Sequence, residues 1–168
     1  MPEQRVKQRA RKDKAEGKAA STQAGEFVRE EIEHVREGKH GARSAKKAIA
    51  IGLSKARRAG VDLPAPKRGA ASERTRRAAA RDSARGHADP AHKPAPRRSR
   101  AASRALKREP HAAGSSTALA RQTRTAAKKK SPAARSRAAS KAADTKGPAV
   151  RKAAARKAAR TRRASASK

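Results

Sequence analysis

Four glutamates, Glu26, Glu30, Glu33 and Glu37, recur every three or four residues, a spacing that aligns them as an acidic stripe on one helical face. Paired carboxylates can divide general-acid and general-base work when a dry pocket pushes their pKa values apart. This stripe lies opposite the apolar positions, so it reads first as a solvated helix face and second as a cradle for the chain's own cationic tail. The five histidines, His34, His40, His87, His92 and His111, make no i, i+4 pair beside an acid of the kind zinc hydrolases use. They read as incidental surface residues. Ser44 and Ser54 have no evident base partner, and the stretch Gly38-Lys39-His40-Gly41 lacks the Walker spacing that cradles phosphates. There is no cysteine, which removes disulfides, thiolate metal sites and thiol nucleophiles. The expectation is a chain without catalytic residues, metal or cofactor, and not an enzyme.

Charge is the chemistry this sequence does carry. Its 168 residues include 47 Lys or Arg against 14 Asp or Glu, a net charge of +33. A balance that basic points to a polyanionic partner, nucleic acid above all. The densest stretches are AAKKKSPAARSRAASKAA (126–143) and VRKAAARKAARTRRA (150–164), where short cation clusters alternate with alanines. The expected phosphate contacts are Arg97, Arg98 and Arg100, then Lys128, Lys129 and Lys130, then Arg135 and Arg137, and finally Arg151, Lys152, Arg156, Lys157, Arg160, Arg162 and Arg163. Each phosphate neutralised releases counterions and steepens the salt dependence of binding. Phe27 is the sole aromatic residue, so the stacking platforms used for single strands are missing. Duplex DNA is therefore the expected partner, bound without sequence preference, with RNA as the alternative. Ser103, Ser131, Ser136 and Ser140 sit beside cations, where phosphorylation would subtract charge.

The elements that must position these groups are unevenly built. Residues 1–21 form a basic arm of net +4, residues 22–64 a module of net +3, and residues 65–168 a tail of net +26. Nine of the fourteen large apolar residues fall in the module, and only Leu106, Leu119 and Val150 in the tail. From Thr22 as N-cap, Ala24, Phe27, Val28, Ile32 and Val35 share a helical face, and Gly38 stops the helix. Ser44 caps a second helix in which Ala45, Ala48, Ile49, Gly52, Leu53 and Ala56 share a face. Gly60 and Val61 close that helix as a Schellman motif, and Leu63-Pro64 ends it. The pair makes an antiparallel hairpin, too small to be comfortable alone. Docking of residues 1–21, or self-association through 22–64, would supply the missing burial.

The tail presents the opposite problem. Few large side chains and strong self-repulsion set its burial far below the cost of ordering 104 residues, which predicts disorder in the free chain. Pro and Gly divide it into Ala/Arg/Lys windows at 70–85, 97–109, 115–131, 133–146 and 149–168, each of which is expected to turn helical on DNA. The fold class expected is thus mostly disordered with a small all-α element: an N-terminal helical hairpin followed by a long tail of marginal helices.

Two resemblances attach to these residues. AAKKKSPAAR and RKAAARKAA make the tail similar to those of bacterial histone H1-like basic proteins, which implies a nucleoid-associated protein that neutralises and condenses DNA. The stretch EGKHGARSAKKAIAIGLSKARRAGVDLP (37–64) resembles a short uncharacterised helical domain of small basic bacterial proteins, without an assigned activity. A protein-interaction hairpin tethered to nucleic acid by its tail, or a ribosome-associated factor, is the alternative. No apolar run is long enough to cross a bilayer, and the basic N-terminus lacks the apolar core of a secretory signal. The expected location is the bacterial cytoplasm and nucleoid.

Overall fold

The computed structural model describes residues 4–89 and 95–166. They form α1 (Gln4–Ala15), α2 (Ala20–Arg36), α3 (Ala45–Arg58), α4 (Glu73–Ala88), α5 (Pro96–Lys107), a 3-10 turn (His111–Gly114), α6 (Ser116–Lys128) and α7 (Pro132–Ala166), with no strand among the described residues. The chain divides into two compact units, residues 1–122 and 123–168.

The hairpin of α2 and α3 is present and forms the centre of the first unit. A Cβ added at Gly52 would lie 2.6 Å from the Cα of Val28, so the two backbones approach at a distance that only glycine permits. Ala24, Phe27 and Val35 from α2 and Ala45, Ala48 and Ala56 from α3 are buried, as their shared faces anticipate. Ser44 caps α3 by accepting from the Lys47 amide at 3.2 Å. At the other end Val61 donates to Ala56 and Gly60 to Arg57, the paired bonds of a Schellman closure, with Gly60 at φ 84. The start of α2 differs from expectation. It begins at Ala20, after Ala19, with no side-chain cap, and Thr22 lies inside its first turn.

Residues of the N-terminal arm complete this core. Val6 and Ala10, one turn apart on α1, join Ala24, Phe27, Ala56 and Val61 in a single buried cluster. A second cluster brings Val35, Ala42 and Ala48 together with Ala113 of the 3-10 turn. Both are made largely of methyl groups, packed in the first around the ring of Phe27.

The disorder expected for residues 65–168 is overturned, since the described residues are 78% helical and the helices continue through this region. Two physical reasons account for this. First, the tail does not have to supply its own core, because the hairpin lends one. Ala79 and Gly86 of α4 are buried, and a Cβ at Gly86 would collide with the backbone carbonyl of Arg57 on α3. Arg57 in turn donates to the carbonyls of Leu63 (3.2 Å) and Pro64 (3.0 Å), Arg76 donates to Pro66 (3.1 Å), and Ser54 pairs with Asp82. Burial pulls the guanidinium of Arg57 below its ordinary pKa, with Asp82 opposing the shift. Farther along, Gly41 donates to Leu106 and Ala42 to Pro110, and a side chain at Gly41 would strike the carbonyl of Glu109. Second, alanine, arginine and lysine are strong helix formers, so capped single helices form with little burial. Val150, the one large apolar residue of α7, is 57% exposed.

The C-terminal end of α4 is fastened electrostatically. His87 Nε2 lies 2.5 Å from Asp62 Oδ1, and Lys14 of α1 lies 3.3 Å from the other oxygen. The hydrogen bond to Asp62, then the one to the Ser83 carbonyl, raises the pKa of His87. The same bond to His87, then that to Lys14, lowers the pKa of Asp62. A histidine raised on folding contributes fully below its ordinary value of 6.5 and fades as pH climbs past the raised one. An aspartate lowered on folding contributes above its ordinary 3.8 and fades as pH falls through the lowered one. The pair therefore supports the fold most between these ordinary values. Thermal melts should show a small loss of stability as pH rises above 6.5 in the native chain, and His87→Ala should remove that slope. A slope that survives the substitution would assign it elsewhere.

Candidate nucleic-acid interface

The helices that carry the cations begin in ways their sequences make plain. Pro96 and Pro132 occupy the first turns of α5 and α7, where a missing amide hydrogen costs nothing. Ser115 accepts from Ala118 and Ser131 from Ala134, each at 3.2 Å, capping α6 and α7. Gly147, at φ 68 and followed by Pro148, breaks α7 into two helical stretches. Proline and glycine thus divide the tail where the sequence places them, but the pieces between are helices already.

All fifteen expected phosphate contacts are exposed. Arg97, Arg98 and Arg100 lie in the first turns of α5, within the first unit. The other twelve lie in the second unit: Lys128–Lys130 where α6 ends, Arg135 and Arg137 on the first stretch of α7, and the remaining seven on its second. At 100° per residue, Lys152, Arg156, Arg160 and Arg163 fall within one 80° arc. They form a cationic strip roughly 16 Å long. Arg151 and Arg162 lie to one side of it and Lys157 to the other. Residues 123–168 carry sixteen cations against Asp144 alone, so nothing within this unit can neutralise the strip. Like charges one turn apart oppose a helix by only about 0.2–0.5 kcal/mol per pair. The intervening alanines outweigh that.

The acidic stripe is only in part the solvated face expected. Glu33 and Glu37 are exposed, but Glu30 is 2% exposed and its neighbour Glu31 is fully buried. Lys55 of α3 reaches Glu31 at 2.6 Å and Glu30 at 3.8 Å, while Arg9 of α1 pairs with Glu26 at 2.7 Å. These carboxylates hold helices together and are not placed to cradle a polycation. The histidines also divide. His87 fastens α4, His111 lies in the 3-10 turn, and His92 falls outside the described residues. His34 and His40, read as incidental, stand beside Glu31. The signal that could have found them is Glu-x-x-His, which puts Glu31 and His34 on one helical face, with His40 returning just past the Gly38 stop.

No family model, curated protein or solved structure matches the chain. The resemblance of the tail to H1-like basic proteins therefore gains no support, and its helices depart from the disorder expected from its composition. Among the described residues, no helix is long and apolar enough to cross a membrane.

Proposed function

We propose that this chain binds duplex DNA without sequence preference, using exposed cations on pre-formed helices to neutralise phosphates and draw adjacent duplex segments together. The observation that carries this reading is the second unit, where sixteen cations face one acid and all twelve of its expected contacts are exposed. Helices that bury no residue of their own have little to do except meet a partner, and at this charge the partner is a polyanion.

Chemistry also argues for indifference to sequence. Asparagine and glutamine, which read adenine through two hydrogen bonds, are absent from α7. Its exposed side chains are mostly Arg, Lys, Ala, Ser and Thr, suited to phosphate oxygens. In a bacterial cell this activity would place the protein on the nucleoid.

Mobility shifts with the full chain test the reading. Affinity should fall by roughly 10³–10⁵ between 50 and 200 mM salt if six to ten phosphates are engaged. Duplexes of unrelated sequence should bind alike, and should outcompete folded RNA at equal phosphate concentration. Preference for RNA would assign the protein to the ribosome-associated alternative instead. Failure to shift either nucleic acid at low salt would end both.

A further inference from the structure

The burial of Glu31 raises a question of charge that the helices alone do not answer. Lys55 Nζ sits against Oε2 of Glu31, and the same ammonium is the ion-pair partner of the neighbouring Glu30. Lys55 covers only one of the two oxygens of Glu31, and a buried carboxylate oxygen without a hydrogen bond is costly. No hydrogen bond reaches Oε1 of Glu31, which faces Nε2 of His40 at 3.4 Å.

The other nitrogen of His40 shows what that approach means. Nδ1 lies 3.1 Å from the carbonyl oxygen of Gly41, and because a carbonyl only accepts, Nδ1 carries the hydrogen. In the neutral ring, Nε2 then directs a lone pair at a carboxylate oxygen. Two acceptors pointed at each other need a cation between them. His34, one turn beyond Glu31 on α2, brings a second imidazole, its ring edge-on to His40 with centroids 6.0 Å apart. One ligand atom from each of the three residues lies within 4.8 Å of the other two.

We propose that Glu31, His34 and His40 form a binding site for a divalent transition metal of the zinc type. Tetrahedral ligands about 2.1 Å from zinc stand roughly 3.4 Å apart. Glu31 Oε1 and His40 Nε2 are already separated by 3.4 Å, the spacing a shared zinc ion requires, and His34 offers the third ligand atom of the group. Two imidazoles select zinc, cobalt or nickel over magnesium or calcium, which prefer oxygen ligands. The outer shell is built as well. The Gly41 carbonyl fixes the His40 tautomer, and Lys55 holds the second carboxylate oxygen. Both histidines are half-buried, so an ion can enter from solvent, and three protein ligands leave a fourth position for water. The metal would pin the loop after α2 to the helix it leaves. Gly41 and Ala42 of that loop carry the backbone bonds to Leu106 and Pro110, so the site secures the docking of the later chain.

Titration of the full chain with Zn²⁺, and with Co²⁺ as a spectroscopic probe, at about pH 7.5 where imidazole is mostly neutral, decides the matter. The expected result is one equivalent of saturable binding, visible d–d bands from Co²⁺ that Zn²⁺ displaces, and a higher melting temperature with zinc. His34→Ala and His40→Ala should each weaken binding by at least about 10–100-fold, the loss usual for an outer-shell partner alone. Both positions are partly exposed, so circular dichroism can confirm that the variants fold. His87→Ala should bind like the native chain. Absence of saturable binding, or affinity unchanged in both ligand variants, would overturn the proposal. The result is independent of whether the chain binds DNA.

Discussion

Phe27→Ala is expected to destabilise the first unit by about 3–5 kcal/mol, more than truncation of any other side chain in it. The ring is 1% exposed and lies among Val6, Ala10, Ala24, Ala56 and Val61, so four of its five neighbours in the cluster offer a methyl or an isopropyl group from a different helix or turn. Such small side chains cannot swing inward to fill the space of a phenyl ring, and Leu53 and Leu63, packed at the margin of the cluster, can fill only part of it. A cavity term therefore adds to the lost transfer energy. A loss of that size is about a fifth or more of the stability of an ordinary domain, typically about 5–15 kcal/mol in all. Urea titration followed at 222 nm should show the midpoint of the native transition shifted strongly downward. Phe27→Leu, which keeps most of the volume, should recover much of the loss. If Phe27→Ala cost no more than Val35→Ala, the core would not be organised around the ring.

How much of this could be read beforehand divides along a physical line. Local rules did well: Ser44 as a cap, Gly38 and Gly60 as stops, the shared faces of α2 and α3, and the Pro/Gly boundaries at 96, 132 and 147–148 all follow from spacings of a few residues. Non-local consequences were hidden. Nothing within a few residues of Gly86 says that it must lie against Arg57, twenty-nine positions earlier, nor that Gly41 must admit Glu109. Large apolar residues alone underestimate the tail because its docking uses glycine and alanine, whose contribution is close approach and not area. Glu31 is hidden for a related reason. A carboxylate at that position looks like one more member of a charged helix surface until Lys55 arrives from another helix to cover it.

The second large effect concerns the strip on α7. Replacing Lys152, Arg156, Arg160 and Arg163 together with glutamine should flatten the log–log dependence of DNA affinity on salt by about 3.6, at roughly 0.9 for each phosphate no longer neutralised. Over the fourfold range from 50 to 200 mM salt, the affinity of the variant should then change by roughly 150-fold less than that of the native chain. Glutamine is chosen because its helix propensity is close to those of lysine and arginine, so the strip loses charge and keeps its backbone. The 222 nm signal should stay unchanged. The loss should also be equal on AT-rich and GC-rich duplexes, because a helix that touches phosphates reports only their density. A loss confined to one sequence would mean that these arginines read guanine edges in a groove, and the mode of binding would have to be redrawn. An unchanged slope would place the phosphate-binding cations elsewhere on the chain, with Arg97, Arg98 and Arg100 at the start of α5 the next to neutralise. The two outcomes separate the electrostatics of α7 from its shape, which the net charge of the full chain does not.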